Sequence, residues 1–344
     1  MTVKEIAFLA NVSIGTVDRV LYNRGRVSAA TKEKIEAIIE QYQFSPNPIA
    51  RQLKRNKAYY FCVLIPRRDQ DSGYWGQVLE GIFETEKEIK PLGVEIEILE
   101  FDRYNLDTFR KNAEIILRKS PDGVVFAPLL PDKTKPFIME LKEKHIPYVF
   151  FDTDIPKLEP LCVINQDFFK GGYLAGKLMK LFVKDTAKPV AILALHGVGY
   201  HVQRRRDGFL KYAREHDLTV VVRECPDINL PKKEIIAFLN ENPDLAGIFV
   251  TNSMTHKVAA TAAKRNNKDL VIIGYDLVPE NRRLLRAGLI DAIISQRPEE
   301  QGRRTLQCLY HHFVLSHDVP PRIEIPLDIF FRENLLNVTN ANKI

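Results

Sequence analysis

Asp152, Asn252, Asp276 and Gln296 stand at or just after the ends of short apolar runs, at 148–151, 247–251, 270–274 and 292–295. Asp102 follows another such run, 94–101, and Tyr74 and Trp75 come soon after the run 61–65. Carboxylates and carboxamides gathered beside aromatic rings suit a neutral, polyhydroxylated ligand. Asp152 and Asp276 can each accept from a pair of hydroxyls, Asn252 and Gln296 can donate and accept, and Tyr74 or Trp75 can stack on the C–H face of a sugar. An Asp after a strand also serves as the N-cap of the next helix, so the ligand expectation rests on the set and not on one member.

These residues need strands to hold them. From Tyr60 onward, apolar runs at 61–65, 94–101, 123–127, 148–151, 190–195, 220–223, 247–251, 270–274 and 292–295 alternate with amphipathic helical stretches. That is the pattern of parallel α/β sheets. Nine runs exceed one compact sheet, so two doubly wound lobes are expected, with ligands bound beyond the carboxyl ends of the strands. The expected fold class is therefore α/β, with a small all-α head in front of a two-lobed body.

The head is read from residues 1–46. Thr2 and Glu5 have capping-box spacing, and Val3, Ile6, Ala7 and Ala10 recur at helical intervals. Asn11-Val12 make a turn, Ser13 caps a second helix with Val17, Val20 and Leu21 inward, and Ser28 starts a third with Ile35, Ile38, Ile39 and Tyr42 inward. Gly15, Asp18, Arg19 and Tyr22 line the outer face of the second helix, a face suited to a major groove. Charge agrees: residues 1–57 hold ten Lys/Arg against five Asp/Glu, five of the six net positive charges of the 344-residue chain. A basic head on a nearly neutral body points to a polyanion as partner.

Composition excludes other classes. With 45% hydrophobic and 27% charged residues the chain is an ordinary globular one, and it has no stretch long enough to span a bilayer and no leader-like start, so a cytoplasmic location is expected. Cys62, Cys162, Cys225 and Cys308 are far apart and suit reduced, buried thiols, with no zinc or disulfide framework. No P-loop, Gly-x-Ser-x-Gly, His-Glu-x-x-His or Gly-x-Gly-x-x-Gly occurs. No catalytic residue, metal or cofactor is therefore expected.

The head segments Thr-Val-Lys-Glu-Ile-Ala, Val-Ser-Ile-Gly-Thr-Val-Asp-Arg-Val-Leu, Val-Ser-Ala-Ala-Thr-Lys-Glu-Lys-Ile and Phe-Ser-Pro-Asn resemble the lactose-repressor (LacI) family of bacterial transcription regulators. Residues 122–125, 167–176, 207–209, 274–276 and 296–302 resemble the ribose-binding-protein type of periplasmic binding fold that this family uses for its body. The resemblance implies DNA contacts from Ser13, Ile14, Gly15, Thr16, Arg19 and Asn23. It also implies a hinge helix at 47–57 that folds on DNA beside its twin, with Ala50, Leu53, Lys54 and Arg55 at the minor groove. Asp18 and Tyr22 depart from the family's usual residues, so no operator sequence is transferred. In the body it implies ligand contacts from Tyr74, Trp75, Asp152, Gln203, Asn252, Asp276 and Gln296. Gln203 stands where many relatives have Arg; should Arg204 reach the cleft instead, a phosphorylated or acidic ligand is open. His196 and His201 could line the cleft but are expected to be loop histidines.

The expected organisation is a head (1–46), a hinge (47–57) and an effector domain (58–344). The effector domain divides into an N-lobe at 58–164 and 296–325 and a C-lobe at 165–295 and 326–344. The expected function is a homodimeric regulator, a repressor, that binds a pseudo-palindromic double-stranded DNA operator and responds to a small sugar. A nucleoside, purine or phosphorylated effector remains open, as does a plain sugar-binding protein or an enzyme on the same body.

Overall fold

The computed structural model describes residues 1–21, 25–44, 58–129, 131–195, 199–225, 230–265 and 269–335. Asn23, Ala50, Leu53, Lys54, Arg55 and His196 lie outside the described residues. The chain divides into two compact units, Met1–Ala58 and Tyr59–Ile344.

The head consists of α1 (Val3–Ala10), α2 (Ile14–Leu21) and α3 (Ala29–Gln41) around Ile6, Ala7, Ala10, Val17 and Ile35. Its caps are the ones the sequence implies. The Glu5 N–H donates to Thr2 Oγ1 at 3.3 Å while the Thr2 N–H donates to Glu5 Oε2 at 2.7 Å. Ser13 Oγ accepts from the Thr16 N–H at 3.1 Å, and Ser28 Oγ from the Thr31 N–H at 3.3 Å. Tyr42 departs from expectation and is exposed. Gln43 takes a left-handed conformation (φ 48°), the Phe44 N–H returns to the Ile39 carbonyl at 2.9 Å, and Phe44 packs on the core.

The body holds two six-stranded sheets, β11-β5-β4-β3-β1-β2 and β12-β10-β9-β8-β6-β7. In chain order these are β1 (Tyr59–Pro66), β2 (Val94–Phe101), β3 (Gly123–Phe126), β4 (Tyr148–Phe151), β5 (Cys162–Asn165), β6 (Val190–Leu195), β7 (Val220–Cys225), β8 (Gly247–Val250), β9 (Val271–Tyr275), β10 (Ala292–Ser295), β11 (Arg322–Glu324) and β12 (Asp328–Phe330). Pairing is parallel except between β12 and β10. The helices are α4 (Tyr74–Ile89), α5 (Leu106–Lys119), α6 (Pro131–Glu143), α7 (Phe168–Phe182), α8 (Tyr200–Glu215), α9 (Lys232–Glu241), α10 (Thr255–Ala263), α11 (Pro279–Arg286) and α12 (Pro298–Tyr310). Strands β3, β4, β8 and β10 are buried along their whole length, as strands covered by helices on both faces must be. All four cysteines are buried and free. No helix among the described residues is long and apolar enough to cross a membrane.

The chain passes between the sheets three times: from β5 into α7, from β10 into α12, and from β11 into β12. In each lobe one helix pair meets at backbone contact through two glycines. A Cβ on Gly172 of α7 would sit 1.8 Å from the Arg205 carbonyl oxygen, and one on Gly208 of α8 would sit 2.0 Å from that of Phe169. Gly81 of α4 and Gly302 of α12 repeat the arrangement, at 1.9 Å from the Glu299 oxygen and 2.1 Å from the Val78 oxygen. Because the opposing atoms are backbone, they cannot rotate away. Gly172→Ala and Gly302→Ala are each expected to cost about 1 to 3 kcal/mol by overpacking, read as a shift of the urea unfolding midpoint of the body; an unchanged midpoint would show that the helices separate freely.

Candidate functional site

A cavity opens between the lobes at the carboxyl ends of both sheets. The N-lobe contributes Asp71, Tyr74, Trp75, Arg103, Leu129 and Asp152; the C-lobe contributes His201, Val202, Arg205, Asn252, Ser253, Asp276 and, from the crossover after β10, Gln296. Its unfilled space, including the mouth, is about 510 Å³. The two sides touch across the mouth: Ser253 Oγ donates to the Asp71 carbonyl at 2.9 Å and Gln77 Nε2 to the Leu277 carbonyl at 3.1 Å.

The two lobes present their aspartates by the same device. Asp152 follows β4 and Asp276 follows β9, both left-handed (φ 63° and 65°), with their N–H groups on the Ile164 and Ile294 carbonyls at 3.1 and 2.9 Å. Asp71 and Ser72 are left-handed as well (φ 51° and 62°). Non-glycine residues in this region cost of the order of 1 kcal/mol or more each, and such strain gathers where side chains must be aimed at a ligand. Buried amides hold the kinks. Asn281 Nδ2 donates to the Asp276 carbonyl at 2.8 Å and the Ser253 carbonyl at 2.9 Å. Gln301, fully buried on α12, accepts the Asp152 N–H at 2.9 Å and donates to the Gln296 carbonyl at 2.9 Å, tying Asp152 to a crossover.

Charge in the cavity is tightly arranged. Tyr74 donates its hydroxyl to Asp152 Oδ1 at 2.7 Å. Arg205 is buried, donating to the Thr251 carbonyl at 2.8 Å and to Gln296 Oε1 at 3.0 Å, with its guanidinium 3.7 Å from the Tyr275 ring centroid. Arg103 pairs with Asp71, whose carboxylate also accepts Trp75 Nε1 at 2.6 Å. Burial pushes Asp276 up to about 7, with Arg205 opposing and Asp152 adding to the rise; burial pushes Asp152 up to about 6 against the Tyr74 hydroxyl and Arg205. Asp276 Oδ1 is buried and has no hydrogen-bond donor among the described residues.

Of the residues expected from sequence, Tyr74, Trp75, Asp152, Asn252, Asp276 and Gln296 meet here. Gln203 does not line the cavity. Arg205, two residues on and about 200° round the helix, takes that place, while Arg204 lies over the Phe169 ring at 4.9 Å, outside the cavity. The helix phase carried this signal: Val202, Arg205, Phe209 and Tyr212 form the buried face of α8. His201, expected to be a loop residue, lines the cavity from the first turn of α8. Asp102 does not line it; its carboxylate accepts the Tyr104 N–H at 2.9 Å and Gln70 Nε2 at 2.6 Å, fixing the turn before α5. The Asp71–Arg103 pair comes from two loops and leaves no periodic signal. In the head, Ser13, Ile14, Gly15 and Arg19 are exposed, and Thr16 is half-buried with its hydroxyl 2.9 Å from that of Ser13.

A capped three-helix head and a two-lobed body closing on a polar cavity define a ligand-responsive, DNA-binding transcription regulator. The chain belongs to the lacI family of bacterial regulatory proteins: residues 2–47 match that family's DNA-binding model, and residues 62–314 match the periplasmic binding protein domain. It is 27% identical over 281 residues to the HTH-type transcriptional regulator DegA of Bacillus subtilis, covering 80% of this chain and 81% of that one. It is 24% identical over 333 residues to the HTH-type transcriptional repressor PurR of Escherichia coli O1:K1, covering 94% of each. Among solved structures, GanP, a glucose-galactose binding protein from Geobacillus stearothermophilus, matches with a TM-score of 0.72 and 25% identity over 81% of this chain and 99% of that one.

Two outcomes follow from this geometry. Both aspartates titrate above the ordinary carboxylate value of 3.8, so their stabilising contribution is complete below about pH 4 and is lost as the pH rises through about 6 and 7. The melting temperature of the ligand-free protein should fall less between pH 4 and 7 in Asp276→Asn than in the wild type; parallel curves would show that Asp276 is not titrating there. Gln301→Leu should destabilise the protein by roughly 1 to 3 kcal/mol, because the buried Gln296 carbonyl loses its side-chain donor and the Asp152 N–H keeps only the Ile164 carbonyl. Denaturant unfolding would measure it.

Proposed function

We propose that the cavity takes a neutral monosaccharide or close polyol derivative, and that its binding sets the operator affinity of a homodimeric cytoplasmic repressor. The observation that carries this is Asp276 Oδ1, a buried acceptor with no donor among the described residues, beside a second buried carboxylate. A sugar hydroxyl would supply the missing proton. Three carboxylates face two guanidiniums in the lining, and Arg205 is already engaged by Thr251 and Gln296. A phosphate would enter an environment short of positive charge. Tyr74 and Trp75 are set edge to face at 82°, which suits one C–H face of a sugar and not the parallel sandwich a purine would need. The likeness of the body to GanP, a glucose-galactose binding protein, supports the same ligand class.

In the head, Ile14, Gly15 and Arg19 would face base edges in the major groove, with Ser13, Thr16 and Asn23 beside them. Residues 47–57 would form the hinge between a head at 1–46 and an effector domain at 58–344, with Ala50 allowing two copies to approach, Leu53 wedging into the minor groove and Lys54 and Arg55 meeting phosphates. Ligand-driven rotation about the three crossovers would move the N-lobes of a dimer and so the hinge anchors, with a coupling free energy of about 1 to 3 kcal/mol.

Titration calorimetry of the full chain with neutral aldoses, their phosphate esters and purines tests the ligand class. A neutral aldose should bind, weaken about a hundredfold or more in Asp276→Ala, and weaken as the pH drops from 7.5 to about 5.5, since its hydroxyls need the ionised carboxylate. Tighter binding of a phosphate ester or purine would refute it. Arg19→Ala should lower the ratio of specific to random DNA affinity by about 1 to 3 kcal/mol at fixed salt; an unchanged ratio would remove Arg19 from base reading.

A further inference from the structure

The C-lobe has a second hollow, separate from the interlobe cavity and enclosed by α9, α10 and α11. Its unfilled space, mouth included, is about 980 Å³. Leu230, Ile235 and Leu284 back it from the core and are almost wholly buried, so half-buried Pro231 and Ala260 supply its accessible apolar wall; Lys232, Lys264 and Arg283 stand at its edge, one from each helix or its end. The charge is one-sided. Among the described residues Glu280 is the only carboxylate lining the hollow, and Arg283 already pairs with it at 2.9 Å. Lys232 and Lys264 have no ion pair among the described residues, whereas other C-lobe cations do: Lys184 with Asp269, Arg206 with Glu224, Lys211 with Glu215. An apolar recess walled on three sides and ringed by uncompensated ammonium groups is complementary to a small molecule with a hydrocarbon body and one anionic end.

The hollow is also wired to the interlobe cavity. His256 lines it, and the His256 N–H donates to Asn281 Oδ1 at 2.7 Å. The Nδ2 of the same Asn281 holds the carbonyls of Asp276 and Ser253, both cavity residues, at 2.8 and 2.9 Å. One buried amide thus separates the two spaces. A molecule that shifts α10 against α11 must act on the kink that aims Asp276.

We propose that this recess is a second ligand site for a small amphipathic monocarboxylate, its chain against Pro231 and Ala260 and its carboxylate between Lys232 and Lys264. Through Asn281 the occupant adjusts the interlobe cavity, so the protein reads two ligands. The recess stands on its own contacts; only its regulatory role rests on the interlobe cavity being the effector site.

Sodium octanoate, kept below its micellar range, is the probe, titrated calorimetrically into the full chain with octylamine as the cationic control. Saturable binding at one site per chain is expected, reduced about tenfold or more in Lys232→Glu/Lys264→Glu, which corresponds to about 1.4 kcal/mol. Both lysines are exposed, so the double variant should keep its melting temperature, which serves as the folding control. Octanoate should also move the His256 ring resonances, assigned with His256→Gln, in the wild type and not in the double variant. Non-saturating heats, equal binding of octylamine, or unchanged affinity in a folded double variant would overturn the site. Because His256 lines the hollow itself, the wiring is read one step further on: binding that leaves the Asn281 side-chain amide resonances in place would overturn it. None of these readouts depends on what fills the interlobe cavity, so failure of the sugar assignment would leave them intact.

Discussion

Arg205 is the positive charge that lets two buried aspartates share one cavity. It has lost nearly all contact with water, and a guanidinium in that position must have its protons and its charge met by the protein. Thr251 and Gln296 accept from its two terminal nitrogens, its Nε has no acceptor among the described residues, the Tyr275 ring lies under it, and its field opposes the burial that pushes Asp152 and Asp276 upward. Each partner comes from a different strand end, so the charge can be held only if β8, β9 and β10 finish in register. Gly172 and Gly208 add the last requirement, because they let α8 approach α7 at backbone contact and so carry Arg205 to the sheet edge.

The cavity is built by one device used in both lobes. A parallel strand ends, the next residue turns left-handed, and an aspartate faces the opposite lobe from that kink. Such a site is divided between two lobes, so a ligand in it touches both. Gln301 and Asn281 make the kinks stiff by hydrogen-bonding them to elements beyond the cavity, one towards a crossover and one towards the outer helices of the C-lobe. A ligand that satisfies Asp276 therefore acts on elements that extend well past its own contacts. This is how a binding fold of this family can report occupancy at a distance.

Much of this is legible in the sequence because the signals are local. Runs such as 94–101, 148–151 and 292–295 coincide with β2, β4 and β10, and the caps at Thr2, Ser13 and Ser28 depend only on residues a turn away. The strands β11 and β12, three residues each, leave no comparable run, because so short a stretch carries no periodicity and owes its pairing to distant partners. In the site, residues at strand ends are read directly, Arg205 is readable only from the phase of its helix, and the pair made by two meeting loops leaves no signal. Gln203 is the residue that motif register selects and Arg205 the one that reaches the cavity, although the apolar stripe of α8 contains the answer. Asp71 and Arg103 depend on tertiary packing alone. Tyr42 departs for a similar reason: the left-handed turn at Gln43 hands its place to Phe44.

A crystal structure of the full chain with the neutral aldose that most raises its melting temperature tests the sugar assignment most directly. Sugar hydroxyls within hydrogen-bonding distance of Asp276 Oδ1 and of the Asp152 carboxylate, with Arg205 still on Thr251 and Gln296, are the expected result. A sugar lodged elsewhere, or an Arg205 that abandons those partners to hold an anion, would contradict the assignment of the cavity to a neutral polyhydroxylated ligand.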